Sequence, residues 1–262
     1  MRPILLPAII LIATQIAGGA LGQPASSSEI APLGRLRVAT HGANPVLVTR
    51  TPDGRVSGVA VDLGKFIAER LGVSFEPVVY PNPEAYTQSF GKGEWDIAIG
   101  APSPLAAAKA DFSPDVILVD FRFIAAPGRE FAHAAKVDRP GVKIMVARNS
   151  GPDQFLSRTL KSAELVRMPG GGGGAIEALR SGKADAWGAN AHIVQAIADG
   201  LPGAKIVPGA FTTDGYAAAL PKGRSSAAQS KLAEFVNEAK AAGVVRKAIE
   251  QAGLRGVRVA PD

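Results

Sequence analysis

From residue 35 onward, short runs of consecutive apolar residues alternate with stretches in which apolar residues recur every three or four positions. The first pattern predicts buried strands, and the second predicts amphipathic helices. Strands that alternate with helices predict a parallel sheet with helices on its faces. In the first half of the chain we expect strands at 35–39, 73–79 and 96–100, and helices at 63–71 and 84–90.

The same order of elements starts again at residue 142. Two further segments, 117–126 and 211–220, have the pattern of extended chain and are candidates for strands that cross between two lobes. A long amphipathic helix follows over 226–252, and Gly243 is expected to interrupt it. The predicted elements of the second unit are strands at 142–147, 163–167 and 184–189 and helices at 153–160, 175–179 and 191–198.

Residues 1–22 have the features of a secretory signal peptide. Arg2 supplies a positive start, an apolar run follows over 4–17, and Ala20-Leu21-Gly22 offers a small-residue cleavage site. A retained membrane anchor is the alternative, but this run is shorter than the ~20 residues that a span needs. We therefore expect cleavage and export, with a loose tail rich in serine and proline over 23–33.

Composition excludes several kinds of site. Cysteine is absent, which excludes disulfides, thiolate metal sites and a cysteine nucleophile. The three histidines, His41, His133 and His192, are too scattered for a histidine-rich metal cage, so we expect no metal and no cofactor. The net charge of +6 is spread along the chain and aromatic residues make up 6%. A nucleic-acid partner is therefore not expected.

Several short stretches, taken in order, resemble the bacterial extracellular solute-binding proteins of family 3, the periplasmic receptors of polar amino-acid importers. None is specific by itself, but together they span 35–252, nearly all of the expected mature chain. The stretches are Leu36–Thr40, Gly58–Leu63, Ile67–Gly72, Gly93–Ile97, Ala110–Ser113, Ala178–Ala186 and Asp214–Tyr216.

The resemblance implies an α/β fold, the two-lobed periplasmic binding protein of type II, with two crossing strands as its hinge and the ligand between the lobes. Lobe 1 would comprise 34–122 plus 214–262, and lobe 2 would comprise 123–213. The resemblance further implies a periplasmic monomer that binds a small-molecule ligand and delivers it to an inner-membrane ABC permease.

Three positions depart from the family pattern. Ala106 stands where the resemblance places the arginine that binds an α-carboxylate. Asn190 stands in place of the aspartate that pairs with the α-ammonium, and Asn44 falls at about the position of a stacking aromatic residue. A buried ammonium needs a charged partner, which an amide does not provide. We therefore expect a small organic acid or an atypical amino-acid derivative as the ligand.

Ligands of open parallel sheets bind beyond the carboxyl ends of the strands. Arg148 follows one such strand, and Ser150 and Gly151 begin the next helix, whose N-terminus favours an anion. We expect these three residues to bind a carboxylate from lobe 2, the alternative being that Arg148 pairs with an acid on the lobe surface. The candidate ligand-binding residues are Asn44, Gly100, Ser103, Arg148, Ser150, Gly151 and Asn190.

The sequence favours a receptor that closes on a solute without chemistry. A periplasmic enzyme on the same fold is an alternative, since dehydratases that act on prephenate-like acids resemble this family. Such an enzyme needs an acid in the cleft, and the nearest candidates outside the cleft loops are Glu84 and Asp214. A free-standing sensor or partner module is a third possibility.

Overall fold

The computed structural model describes residues 25–50, 54–169, 172–253 and 255–261. Within these ranges, no helix is long and apolar enough to cross a membrane. The segment predicted to be a signal peptide, 1–22, lies outside them.

Strands and helices alternate as the hydrophobic pattern predicts. The first part of the chain contains α1 (Ala25–Ile30), β1 (Arg35–His41), β2 (Thr49–Arg50), β3 (Val56–Ser57), α2 (Val59–Leu71), β4 (Ser74–Tyr80), α3 (Pro83–Gln88), β5 (Ile97–Gly100), α4 (Pro104–Ala107) and β6 (Ala110–Ala125). The second part contains β7 (Lys143–Ala147), α5 (Gly151–Thr159), β8 (Glu164–Met168), α6 (Ala175–Arg180), β9 (Ala186–Asn190), α7 (Ala191–Gly200), β10 (Lys205–Ile206) and β11 (Thr212–Pro221). The last elements are α8 (Ser226–Ala241), α9 (Val244–Ala252) and β12 (Val257–Val259), and short 3-10 helices lie at Ala134–Lys136 and Gly172–Gly174.

One sheet runs through both lobes, with the strand order β4-β1-β5-β11-β6-β9-β7-β8. The strands at each end pair in parallel, β4 with β1 and β1 with β5 in lobe 1, and β8 with β7 and β7 with β9 in lobe 2. In the middle, β6 and β11 pair with each other antiparallel along most of their length. These two hinge strands contain the extended segments predicted at 117–126 and 211–220, so the fold is the expected two-lobed α/β architecture.

The amphipathic helices bury the faces that the sequence pattern predicts. In α2, Leu63, Ile67 and Leu71 are buried, and the helix ends at Gly72, which takes the left-handed conformation. That helix begins at Val59, so Asp62 lies in its first turn and does not cap it. The sequence also predicts Trp95 and Trp187 as core residues, and both are buried.

The chain after β11 packs on lobe 1. Buried residues of α8 and α9 share one hydrophobic core with residues of α2, β1 and β5. Gly243 separates the two helices with a left-handed backbone (φ 75°), because continuing the helix would need a negative φ. β12 then pairs with β6. The lobe limits at 122/123 and 213/214 stay a prediction.

The prediction of a loose tail is wrong for the end of the 23–33 segment. Ile30 and Ala31 are buried in the core of lobe 1, where α1 packs against α8. The carboxylate of Glu29 also accepts a hydrogen bond from the Ser225 backbone N–H at the start of α8. Serine-rich sequence suggested a tail, but two apolar residues at its end are enough to anchor it.

A buried aspartate lies directly before β5 in lobe 1 and directly before β9 in lobe 2. Asp96 accepts a hydrogen bond from the Arg37 backbone N–H and pairs with the Arg37 guanidinium at 2.8 Å. Asp185 likewise accepts from the Lys143 backbone N–H and pairs with Arg129. Each aspartate therefore fixes the start of its strand to the neighbouring one, far from the carboxyl ends at which a ligand would bind.

Candidate ligand-binding cleft

A cavity of about 650 Å³ lies between the two lobes. β1, β5, β7 and β9 all end beside it, and both hinge strands contribute to its floor. Its volume lies in the range of small-molecule binding sites. Loops and helix starts that follow the strand ends form its walls, as the topology of a parallel sheet predicts.

The structure brings together all but one of the predicted site residues. Gly100 does not line the cavity: it is the last residue of β5, and a Cβ built on it would lie 2.9 Å from the Tyr86 hydroxyl. Its missing side chain makes room for that hydroxyl. The predicted residues that line the cavity are Asn44, Ser103, Arg148, Ser150, Gly151 and Asn190.

The start of α5 forms a polar wall on lobe 2. Ser150 caps this helix by accepting a hydrogen bond from the Asp153 backbone N–H at 3.2 Å. Asn149, just before it, has a left-handed backbone (φ 61°), which asparagine tolerates better than most residues. Its backbone N–H donates to the Asp153 carboxylate. These bonds define the loop that carries Arg148 and place it at the cavity edge.

Two arginines line this wall and form no ion pair with the described residues. Arg148 is exposed, and among those residues no acid on the lobe surface pairs with it, contrary to the alternative interpretation. Arg158 is also exposed and lies on α5, two helical turns after Gly151 and therefore on the same face. Arg158 is not among the site residues predicted from the sequence, although its spacing of two helical turns from Gly151 indicates that both lie on the same helix face.

A network of amides and a tyrosine forms the floor of the cleft. The side-chain amides of Asn44 and Asn190 both donate to the Tyr216 hydroxyl, at 3.2 and 3.1 Å. Burial raises the pKa of Tyr216 to about 12, so the phenol keeps its proton at neutral pH. Asn44 also accepts from the Val46 backbone N–H. These two amides therefore join lobe 1 and lobe 2 to a hinge strand in addition to lining the cavity.

Asp214, on hinge strand β11, is the acid at the centre of the site. Burial, and secondarily the nearby Asp115 carboxylate, raises its pKa to about 6, although the Gly215 backbone N–H and Arg158 act in the opposite direction. Glu84 also lines the cavity, from α3 of lobe 1, where it is exposed. Both acids named from the sequence as the nearest candidates outside the cleft loops, Glu84 and Asp214, therefore line the cavity.

The wall on lobe 1 carries no lysine or arginine among the described residues that line the cavity. Ala106 is buried in the core of that lobe. His41 ends β1 and lines the cavity, and burial lowers its pKa to about 4. From its place in the predicted helix 191–198, His192 is expected on the helix surface, and this prediction is wrong. α7 packs against β6 and β9, which buries the face that carries His192 and lowers its pKa to about 4.

The sequence also contains a run of five glycines over 170–174. The described part of the glycine run, Gly172–Gly174, does not line the cavity, and residues 170 and 171 lie outside the described residues. Within the described ranges, no group of three or more histidine, aspartate or glutamate side chains is placed to hold a metal ion.

The lobes, the crossing strands and the cleft between them define a two-lobed α/β binding protein. Residues 36–252 match the family model of the bacterial extracellular solute-binding proteins, family 3, and the chain belongs to this family. The family resemblance read from the sequence is therefore confirmed.

Individual relatives are more distant. The chain is 26% identical over 171 residues to a cyclohexadienyl dehydratase of Pseudomonas aeruginosa, and this match spans 63% of each protein. An amino acid ABC transporter substrate-binding protein from Streptococcus pneumoniae, bound to L-arginine, is similar with a TM-score of 0.71 and 20% identity, over 90% of this chain and 99% of that one. The ancestral amino acid-binding protein AncCDT-1, a precursor of cyclohexadienyl dehydratase, gives 0.69 and 22%, over 86% and 98%. At identities of 20% and 22%, the similarity to these two structures shows that this chain has the same fold.

Proposed function

We propose that this protein is a periplasmic receptor that binds a small organic acid or an atypical amino-acid derivative between its lobes and delivers it to an inner-membrane ABC permease. Family membership supports the receptor role, export and the permease. The observation that carries the ligand class is the pair of arginines that line the cavity from lobe 2, Arg148 and Arg158, and form no ion pair with the described residues.

The ligand carboxylate would bind at the start of α5. Arg148 offers a planar fork of N–H donors that matches a carboxylate. The Ser150 hydroxyl and the free backbone N–H of Gly151 lie beside it, at the positive end of the helix dipole. Among the described residues of lobe 1, no arginine or lysine lines the cavity, which supports lobe 2 as the part that would bind the anion.

The test is thermal melting of the purified protein against a panel of carboxylic acids, amino acids, amines and sugars. A ligand present at ~100 times its Kd stabilises the fold by ~2.7 kcal/mol, a shift that is easily measured. We expect carboxylic acids among the hits, and Arg148→Ala should weaken their binding about 10- to 100-fold because a charge-assisted hydrogen bond is lost.

Arg246→Ala is the matched control, since Arg246 is an exposed arginine of α9 that does not line the cavity. It should leave both the fold and the affinity unchanged. Hits confined to molecules without a carboxylate, or a carboxylate whose Kd is the same in Arg148→Ala, would contradict the proposal.

An enzyme that eliminates water from a small acid is the second candidate. Asp214 supports it, because a carboxyl group with a pKa of about 6 can protonate a leaving hydroxyl near neutral pH. The related protein from Pseudomonas aeruginosa is a cyclohexadienyl dehydratase. Incubation with a cyclohexadienyl acid such as prephenate separates the two: loss of its hydroxyl as water together with its ring carboxylate as CO2 gives an aromatic product that absorbance detects. The receptor proposal expects no turnover, whereas turnover that Asp214→Asn abolishes would favour the enzyme.

A further inference from the structure

The lobe 1 wall of the cleft holds two buried polar atoms that have no hydrogen-bond partner among the described residues. They are the Tyr86 hydroxyl and Nδ1 of His41, and both side chains line the cavity. Tyr86 is only 4% exposed, and its ring centroid lies 5.7 Å from that of His41. Buried polar groups almost always have a hydrogen-bond partner. Two buried polar atoms without one, on side chains that line the same wall of a cavity, therefore indicate a missing partner.

The packing around Tyr86 leaves room for its hydroxyl but places no hydrogen-bond partner beside it among the described residues. Gly100 leaves the space that the Tyr86 hydroxyl occupies, since a Cβ at that position would lie 2.9 Å from it. Around the ring, Phe90 and Tyr80 pack edge-on and hold its orientation. The hydroxyl is therefore held in a fixed position, on a side chain that lines the cavity, without a hydrogen bond to the described residues.

Both orphan groups are uncharged at neutral pH. Burial lowers the pKa of His41 to about 4 and raises the pKa of Tyr86 above its ordinary value. A neutral imidazole and a phenol can each donate or accept a hydrogen bond. The charged side chain that lines the cavity from α3 of this lobe is Glu84, which disfavours a second carboxylate. The wall therefore fits an uncharged polar group.

We propose that the ligand carries, at the end opposite its carboxylate, a hydroxyl or carboxamide group that hydrogen-bonds to Tyr86 and His41 of lobe 1. This inference rests on the proposed function, because it takes the carboxylate to be bound by lobe 2. A ligand of this kind contacts both walls of the cleft at once. When the lobes close on it, the Tyr86 hydroxyl and His41 gain the hydrogen-bond partner that they lack without ligand.

The experiment compares straight-chain acids of about four to six carbons that end in a hydroxyl, a carboxamide or a methyl group. Binding to the full protein is measured by thermal melting and by calorimetry. The wild type should bind the hydroxyl or the carboxamide acid at least about tenfold more tightly than the methyl acid of equal length. Comparing the affinity of the hydroxyl acid with that of the carboxamide acid shows which group is preferred. Tyr86→Phe should lose most of this preference, because His41 alone would remain to hydrogen-bond to the polar end of the acid.

Tyr80→Phe is the matched control. The Tyr80 hydroxyl donates to Glu94 at 2.6 Å and does not line the cavity, so its loss should leave the preference intact. Without ligand, Tyr86→Phe should melt no lower than the wild type, because no hydrogen bond is lost. A clear drop in its Tm would reveal a structural partner for the hydroxyl and overturn the inference.

The remaining outcomes separate this inference from the proposed function. Acids that bind through Arg148 with equal affinity whatever their far end would overturn the polar subsite and leave the receptor proposal standing. A preference for the polar acids that is undiminished in Tyr86→Phe would also overturn the subsite. If no acid of any kind binds, the proposed function fails, and the subsite fails with it.

Discussion

Replacing Asp214 with asparagine should make the ligand-free protein more stable at neutral pH. The wild-type carboxyl group has its pKa raised from 3.8 to about 6, chiefly by burial. A carboxyl with a raised pKa binds its proton more tightly in the folded state than in the unfolded one. Its favourable contribution is complete below pH 3.8 and is lost as the pH rises through about 6. At pH 7 the folded protein therefore holds a charge that it would be more stable without.

The magnitude follows from the same pKa values. Each tenfold change in proton affinity corresponds to about 1.4 kcal/mol, so a rise from 3.8 to about 6 corresponds to about 3 kcal/mol. A chain of this size gains ~2–4 °C in Tm per kcal/mol, so Asp214→Asn should melt on the order of 6–12 °C higher at pH 7. The gain should shrink through the window between pH 6 and 4 and vanish below it.

Thermal melts of both proteins from pH 3.5 to 8 provide the assay, and Asp120→Asn supplies a control of opposite sign. Burial alone would raise the pKa of Asp120, but hydrogen bonds from Arg258 and Thr213 outweigh it and leave this pKa lowered. Asp120→Asn should therefore be less stable than the wild type above pH 4, with a deficit that shrinks only at more acidic pH. An Asp214→Asn protein that melts with the wild type at pH 7, or whose gain does not depend on pH, would refute the reasoning.

Two further substitutions test the fold and the cleft. Asp96→Ala should lower the free energy of unfolding by about 3 kcal/mol in urea titrations, because Asp96 is fully buried and the Arg37 guanidinium would lose its partner. Gly151→Ala should cost about 1–3 kcal/mol and weaken acid binding in calorimetry, since its Cβ would lie 2.6 Å from the buried Phe121 ring. Gly173→Ala, whose Cβ would meet no atom within 4 Å, should leave binding unchanged. Equal affinity in the wild type and in both glycine variants would contradict the placement of Gly151.

The hydrophobic pattern located the cleft because topology fixes where ligands bind in such a sheet. Once strands and helices alternate, the residues directly after each strand must meet at one edge. Arg148, Ser150 and Asn190 were found in this way, and all three line the cavity. Their positions needed no knowledge of side-chain packing.

The residues that sequence reasoning missed reach the cleft from the body of a helix. Tyr86 and Arg158 lie inside α3 and α5, and which face of each helix meets the cavity depends on how that helix packs. His192 was misplaced for the same reason, since the buried face of α7 includes it. Periodicity gives the angle between residues around a helix, but the direction of the whole face is set by tertiary contacts.

Charge in the cleft is distributed so that the described side chains that line it form no ion pair with one another. Arg148 and Arg158 are exposed, and Asp214 remains a buried acid with a raised pKa although Arg158 acts to lower that pKa. A structure selected only for stability would pair or remove Asp214, because an unpaired buried charge is costly. The retention of this acid and of two arginines at one cavity, beside the Tyr86 hydroxyl, is the pattern of a binding site whose missing partner is the ligand.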